Sequence, residues 1–245
     1  MPTAVTNVPK ATVALADGRA LTYFGAIPKR PADFPDRRQL PATGVQSEAR
    51  WDSLLSEWVV IASHRQDRTF QPAADACPLC PSSAGSLTEI PAPEYEVVVF
   101  ENRFPTLATT APPAQSDAAC SDDARSDDGR AGQPGLLASR PGAGRCEVIC
   151  FSQDHSASFA GLGSDQAATV MAAWVDRSVE LARLPGVEQV YCFENRGTEI
   201  GATLSHPHGQ IYAYPSITPR TDRMLTACAG YRRHRSRPVR RLARG

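Results

Sequence analysis

The chain has 245 residues, of which 42% are hydrophobic and 21% are charged, as is usual for a soluble globular protein. Its 26 basic and 26 acidic residues cancel, so no overall field favours binding to nucleic acid or to an anionic membrane. The sequence lacks an apolar run of the roughly 18 residues that a transmembrane helix needs. Its N-terminus also lacks the basic-then-apolar order of a signal peptide. We therefore expect a cytoplasmic protein.

The first part of the chain, residues 1–47, is a proline-rich and weakly patterned segment. Within it, residues 15–25 predict a hairpin that turns at Asp17 and Gly18. Further along the chain, alternating or continuous apolar residues bounded by turn residues predict five strands. These strands are expected at residues 57–65, 95–107, 145–156, 187–197 and 209–215.

One segment between the third and fourth predicted strands has the pattern of a helix. Its apolar residues recur at helical spacing: Val170, Met171, Trp174, Val175 and Leu181. Ser164 or Asp165 is the expected N-cap, and Pro185 with Gly186 is the expected stop. We therefore expect an α+β fold, in which the five strands form an antiparallel sheet and the helix over residues 164–183 packs on one face.

Two segments have compositions that predict disorder. Residues 108–144 are rich in Ala, Pro, Ser, Asp and Gly, which predicts a solvated insertion. Residues 231–245 contain seven arginines and no acidic residue, which predicts a disordered tail. Lys10 and Lys29 are the only lysines of the chain, so an arginine cluster here is weak evidence for a nucleic-acid-binding protein. The predicted domain is residues 48–230, with the insertion inside it.

Two of the seven cysteines, Cys77 and Cys80, are separated by two residues, whereas the other five are scattered and are expected to act as small apolar residues. The Cys-x-x-Cys spacing allows two thiolates to share one tetrahedral zinc ion. A redox pair and a chance spacing are the alternatives. Zinc would need two more ligands, for which the candidates are His64, His155, His206, His208 and His234.

His155 and His206 are the better candidates among these histidines. His155 follows a predicted strand, which fixes the direction of its side chain, and His206 precedes a proline, which holds it extended. With Cys77 and Cys80 they would form a closed Cys2His2 structural site.

The segment HPHGQ, residues 206–210, predicts phosphoryl chemistry. Residues two apart in an extended segment point to the same side, so His208 would lie beside the wall that His206 anchors. A neutral imidazole held there can attack phosphorus as a nucleophile. Gln210 would point the same way and donate its amide to a phosphoryl oxygen, and Gly209 would leave room for a phosphate. The alternative for His208 is a buried core histidine.

Several motifs together resemble the galactose-1-phosphate uridylyltransferase family of the histidine-triad superfamily. They occur in the family's order between about Arg50 and about Arg220: SEWVVIASHRQDR, CPLC, FENRFPTL, CEVICFSQDHS, FENRG and HPHGQIYAYP. Related hydrolases carry a third histidine where this chain has Gln210, which favours a transferase. The resemblance implies a histidine-triad-like fold, with an antiparallel sheet and a helix packed on one face.

The resemblance also implies a reaction of galactose metabolism and the residues that perform it. His208 would take UMP from UDP-glucose as a covalent uridylyl-histidine, and galactose 1-phosphate would then accept it. Gln210 would bind the phosphoryl oxygens, and zinc would be the cofactor. Implied substrate contacts are Arg65 and Arg68 to phosphate groups, and Asn102, Asn195 and Thr203 in the nucleotide pocket. Implied zinc ligands are Cys77, Cys80, His155 and His206.

The resemblance covers the N-terminal half of the family, in which a second half normally follows and supplies contacts to the sugar phosphate, partly across a homodimer interface. Two explanations for the missing C-terminal half stay open: a frameshift, or a split enzyme whose second half is a separate chain. An inactive, zinc-stabilised nucleotide-binding half-protein is the alternative function. A nucleic-acid-binding zinc protein that uses the arginine-rich tail is a weaker alternative.

Overall fold

The computed structural model of the chain describes residues 8–28, 30–40, 47–62, 71–109 and 134–235. These residues form an α+β fold, as predicted. The strands are β1 (Lys10–Ala14), β2 (Ala20–Phe24), β3 (Ser47–Asp52), β4 (Glu57–Ala62), β5 (Val97–Glu101), β6 (Ser139–Pro141), β7 (Arg145–Cys150), β8 (Gln189–Phe193) and β9 (His208–Tyr214). The helices are α1 (Ser164–Leu181) and α2 (Pro219–Arg235).

The main sheet is antiparallel and has six strands in the order β1-β2-β5-β7-β9-β8. Its first two strands form the predicted hairpin, and Gly18 adopts a φ of 82° in the turn, a conformation that glycine reaches without steric cost. The central strand β5 has the sequence VVVFE, and its first four residues are buried. Four of the five predicted strands lie in this sheet, at its centre and at one edge.

The two faces of the sheet bury different partners because neighbouring side chains along a strand point to opposite sides. Val97 and Val99 of β5 pack with Val170 and Leu181 of α1. Burying an aliphatic side chain of this size stabilises the fold by about 1.5–3 kcal/mol, so this contact holds the helix on the sheet as predicted. Residues from Cys77 to Tyr95, with Val98 and Phe100 of β5, cover the opposite face.

The start and the end of α1 differ from the prediction. Gly163 occupies the N-cap position without a side-chain hydrogen bond, so the expected cap by Ser164 or Asp165 is wrong. The helix ends at Leu181, before the expected stop at Pro185 and Gly186. Buried contacts of Val170, Ala173 and Leu181 with the sheet therefore set the extent of this helix more than its caps do.

The strand β4 lies outside the main sheet, which corrects the prediction of one five-stranded sheet. It belongs to a three-stranded sheet in the order β4-β3-β6. The strand β6 lies inside the predicted insertion of residues 108–144, so the part of that insertion from residue 134 onwards is ordered. The contacts explain this: Gly142 packs so closely that a Cβ atom would lie 2.8 Å from Ser47, and the Arg140 guanidinium stacks 4.3 Å from the Trp58 ring. Residues 110–133 lie outside the described residues.

The helix α2 was not predicted, and it includes residues 231–235 of the predicted disordered tail. It begins at Pro219, a residue that suits the first helical position, and Asp222 lies in its first turn, where an acidic residue is favourable. Most of its residues up to 232 are exposed, so the sequence carries no apolar periodicity to reveal the helix. Residues 236–245 lie outside the described part of the chain. Neither α1 nor α2 is long and apolar enough to cross a membrane.

Candidate functional site

The four side chains predicted as zinc ligands converge on one point. The ligand atoms of Cys77, Cys80, His155 and His206 all lie within 4.8 Å of one another. Cys77 and Cys80 lie on the segment that covers the sheet, His155 lies in the loop after β7, and His206 immediately precedes β9. Three separate parts of the chain thus meet at this cluster.

The ring of His206 is oriented by a hydrogen bond on the far side from the cysteines. Its Nε2 donates to the Ser152 carbonyl oxygen over 2.8 Å and lies 2.9 Å from the Tyr95 hydroxyl. This leaves Nδ1 with its lone pair, 3.6 Å from the Cys80 sulfur. Burial lowers the pKa of His206 to about 4, so the imidazole is neutral near pH 7. A neutral imidazole with its second nitrogen held this way is typical of a metal ligand.

The donor set suits a zinc ion in the type of its ligand atoms, in two of its distances and in charge. Ordinary Zn–S and Zn–N lengths predict S···N separations of about 3.5 Å in a tetrahedral site. The Cys80 sulfur lies 3.5 Å from His155 Nδ1 and 3.6 Å from His206 Nδ1. Burial beside Cys77 raises the pKa of Cys80 to about 12, so two thiolates here need a cation to be stable. His208 is not a member of this ligand cluster.

A pocket of about 410 Å³ opens next to the cluster, on the same face of the sheet. Four neighbouring residues on adjacent strands form part of its wall. Gln210 of β9 pairs with Val148 of β7 on one side and with Phe193 of β8 on the other. Val148 pairs in turn with Phe100 of β5. Of the residues predicted from the sequence, those lining the pocket are Asn102, Asn195, Thr203, His208 and Gln210. Arg65 and Arg68 lie outside the described residues.

His208 presents one nitrogen to a ligand because the other is occupied. Its Nδ1 donates a hydrogen bond to the backbone carbonyl of His206 over 2.7 Å, which leaves the lone pair on Nε2. Burial lowers the pKa of His208, against an opposing effect of that hydrogen bond, so the neutral form is favoured. The arrangement suits a nucleophile.

The amide of Gln210 is held in a similar way. Its Oε1 accepts a hydrogen bond from the Tyr212 hydroxyl over 3.0 Å. The amide nitrogen therefore remains a donor for a ligand in the pocket. His208, Gln210 and Tyr212 alternate along β9 and all line the pocket, as a strand periodicity of two requires.

Gly209 does not serve the purpose predicted for it. It points to the α1 side of the sheet, where a Cβ atom would lie 2.8 Å from Phe151 Cζ and 2.9 Å from the Phe193 carbonyl oxygen. Close packing of β9 against Phe151 and β8 therefore requires the glycine, and the expectation that it leaves room for a phosphate is wrong.

Sequence reasoning missed two charged residues of the pocket, Glu89 and Arg103. Glu89 is held by Arg19 and Arg38, each over 2.7 Å. These partners are separated by long stretches of sequence, so no local pattern reveals them. Arg103 lies in the FENRFPTL motif directly after Asn102, so its position in that motif could have predicted that it lines the pocket. Its Nε has no hydrogen-bond partner among the described residues, and its guanidinium lies 5.5 Å from the Phe104 ring centroid.

This fold is already represented among solved structures. The chain resembles a solved uridylyltransferase structure with a TM-score of 0.57 and 23% identity, over 76% of this chain and 52% of that one. At this identity the likeness establishes the fold.

Comparison of sequences establishes the family. The model of the galactose-1-phosphate uridyl transferase N-terminal domain matches residues 36–218. A galactose-1-phosphate uridylyltransferase of Streptomyces lividans is 47% identical over 223 residues, which are 91% of this chain and 53% of that protein. One of Thermotoga maritima is 35% identical over 175 residues, which are 71% of this chain and 49% of that protein. The chain therefore belongs to the galactose-1-phosphate uridyl transferase family, and it spans about half the length of these curated relatives.

Proposed function

We propose that this chain transfers UMP between UDP-glucose and galactose 1-phosphate through a covalent uridylyl-histidine at His208. The observation that carries the proposal is that His208 and Gln210 line one pocket, each with one polar end occupied by a neighbour, beside three polar residues suited to a nucleotide. Those three are Asn102, Asn195 and Thr203. Relatives named galactose-1-phosphate uridylyltransferase supply the substrate class.

In the first step the lone pair on His208 Nε2 forms a bond to the α-phosphorus of UDP-glucose. The bond from that phosphorus to the bridging oxygen breaks, and its electron pair leaves with glucose 1-phosphate. Because Nδ1 keeps the proton that it donates to the His206 carbonyl oxygen, the new N–P bond places a positive charge on the ring beside the negative phosphoryl group. This pairing of charges stabilises the intermediate.

In the second step a phosphate oxygen of galactose 1-phosphate attacks the same phosphorus. The N–P bond breaks, its electron pair returns to Nε2, and UDP-galactose is released. The Gln210 amide would donate to a non-bridging oxygen in both steps, where negative charge is concentrated in the transition state. One such donor is worth about 3 kcal/mol of barrier. Arg65 and Arg68 are proposed to contact phosphate groups in addition.

The proposed cofactor is zinc, held by Cys77, Cys80, His155 and His206. When bound, the ion would fix the geometry of the wall beside the nucleophile without taking part in bond making. His206 links the two centres directly, since its ring belongs to the ligand cluster and its carbonyl oxygen holds His208.

The proposed partner is a second chain or a second copy that supplies contacts to the hexose phosphate. The alternative proposal is a zinc-stabilised half-protein that binds nucleotide without turnover. The two share a fold and a pocket, so only a reaction separates them.

The test is intact-mass spectrometry of the purified chain mixed with UDP-glucose, followed by galactose 1-phosphate. We expect a mass gain of one UMP, its absence in His208→Ala, and its loss when galactose 1-phosphate is added. A folded, zinc-loaded chain that binds UDP-glucose and never gains mass would support the half-protein instead.

A further inference from the structure

The hydroxyl of Tyr212 lies between two polar side chains at the wall of the pocket. It is 3.0 Å from Gln210 Oε1 and 3.3 Å from Thr106 Oγ1. The proposed reaction assigns Tyr212 no part, although the residue is buried and lines the same pocket as His208.

The packing of its ring fixes where this hydroxyl stands. The Phe193 ring meets the Tyr212 ring edge to face with centroids 5.2 Å apart, and Tyr214 lies 5.8 Å away. Tyr212 also belongs to a small buried cluster with Leu107 and Cys146. Since rotation about only two side-chain bonds is available to a tyrosine, these contacts hold its hydroxyl opposite Gln210.

The Tyr212 hydroxyl has one proton, so it can donate in only one of its contacts with Gln210 and Thr106. A glutamine amide has an acceptor end and a donor end of nearly equal size, which a half-turn of the amide exchanges. If Tyr212 donates to Oε1, the amide nitrogen points away from it. The proton is then used, so Thr106 is the donor in its contact with Tyr212.

We propose that Tyr212 is a positioning residue that turns the donor end of the Gln210 amide towards the phosphoryl group. The proposal rests on the proposed function, in which Gln210 donates to a non-bridging oxygen. Without the hydroxyl, nothing in this contact prevents the amide from turning its oxygen towards the phosphoryl oxygens, where like partial charges repel. Thr106 would thus donate to Tyr212, Tyr212 to Gln210 Oε1, and the Gln210 amide nitrogen to a phosphoryl oxygen.

The first test is the rate of UMP adduct formation from UDP-glucose, measured by rapid quench and intact mass. Tyr212→Phe keeps the ring and removes the hydroxyl, and we expect the rate to fall about 10- to 100-fold, less than the loss of a whole donor. Tyr214→Phe is the matched control, since Tyr214 lies two residues further along β9, contacts the Tyr212 ring and does not line the pocket. Its rate should stay within twofold of the wild type.

A double-mutant cycle separates positioning from a general structural effect. If Tyr212 acts through Gln210, then Tyr212→Phe should not slow the reaction further in a Gln210→Ala background. An equal slowing in both backgrounds, or a wild-type rate for Tyr212→Phe, would overturn the proposal.

A second measurement decides the proposal even if the wild type forms no adduct, a result that would count against the proposed function alone. The side-chain amide signals of Gln210 in a ¹⁵N–¹H spectrum can be identified by their loss in Gln210→Ala. We expect UMP to shift them in the wild type and in Tyr214→Phe, and to shift them far less in Tyr212→Phe. Signals that do not respond to bound UMP in the wild type, or that respond equally in Tyr212→Phe, would contradict the positioning role.

Discussion

Two side chains of β9 each have one polar end occupied by a neighbour two residues away. The His206 carbonyl holds Nδ1 of His208, and the Tyr212 hydroxyl holds Oε1 of Gln210. The remaining ends, a lone pair and an amide donor, are the groups that phosphoryl transfer needs. The sequence predicts that these residues share a side of the strand, because the period of a strand is two. It does not predict which atom of each faces the pocket, since that depends on hydrogen bonds formed only in the folded chain.

Gly209 lies between these residues and allows a test of how tightly β9 is packed on the face of the sheet opposite the pocket. Gly209→Ala places a methyl group 2.8 Å from Phe151 Cζ and 2.9 Å from a backbone oxygen that cannot move away easily. Overpacking of this kind costs about 1–3 kcal/mol, so we expect a lower midpoint of thermal unfolding by calorimetry.

Gly85→Ala is the control for this substitution, because a Cβ atom there meets nothing within 4 Å. An unchanged midpoint in Gly209→Ala would mean that β9 is packed against Phe151 and β8 more loosely than the structure shows.

Among the secondary-structure elements, the sequence predicts those with continuous apolar patterns and misses those without them. The strands β5, β7 and β9 and the helix α1 bury large apolar side chains, and β8 half-buries its own, so their periodicity is visible. The strand β3 has the polar sequence SEARWD, and β6 is only three residues long. The pairing of β3 with β6 joins segments that are far apart in the sequence, so it leaves no local pattern. For the same reason the sequence cannot tell that β4 joins them and leaves the main sheet.

The segment that carries Cys77 and Cys80 has little regular structure, so the proposed zinc ion should hold it in place. Cys77→Ser removes one thiolate, and we expect loss of stoichiometric zinc by elemental analysis and a lower midpoint of thermal unfolding. Cys228→Ser changes an exposed thiol on α2 and should leave both values unchanged. Wild-type protein purified without metal, or a Cys77→Ser variant that keeps its zinc, would refute the proposed site.

The segment of residues 30–40 is attached to the pocket wall by an ion cluster. Burial opposes ionisation of Asp36, but hydrogen bonds from Arg38 and from the Ala16 amide outweigh it and hold the pKa of Asp36 below its ordinary value. Arg38 in turn binds Glu89 of the pocket. A carboxyl group whose pKa is lowered by folding stabilises the folded state above its unfolded pKa, and this contribution is lost as the pH falls through the folded pKa.

We therefore expect Asp36→Asn to lower the free energy of unfolding by about 1–3 kcal/mol at pH 7. The difference from the wild type should stay constant down to about pH 5 and shrink as the pH falls below about 4. Urea unfolding at a series of pH values measures it. Asp33→Asn is the control, since Asp33 is exposed in the same segment. A difference that persists unchanged at low pH would show that the charge of Asp36 contributes nothing.

At the scale of the whole molecule, the fold brings together motif residues that are far apart in the sequence. The structure brings together the four proposed zinc ligands, and it places Asn102, Asn195 and Thr203 around His208 and Gln210. The sequence does not predict that Glu89 lines the pocket, because its arginine partners are distant in sequence. The chain spans about half the length of its curated relatives, and the described pocket supports the proposed first step, on the nucleotide side.

The identity of the nucleophile is the central claim, and one measurement addresses it directly. The chain is mixed with UDP-glucose, digested under conditions that preserve phosphohistidine, and its peptides are sequenced by tandem mass spectrometry. We predict one UMP group, attached to His208 in the peptide that contains HPHGQ. UMP attached to another residue, or an adduct that forms equally in His208→Ala, would contradict the account.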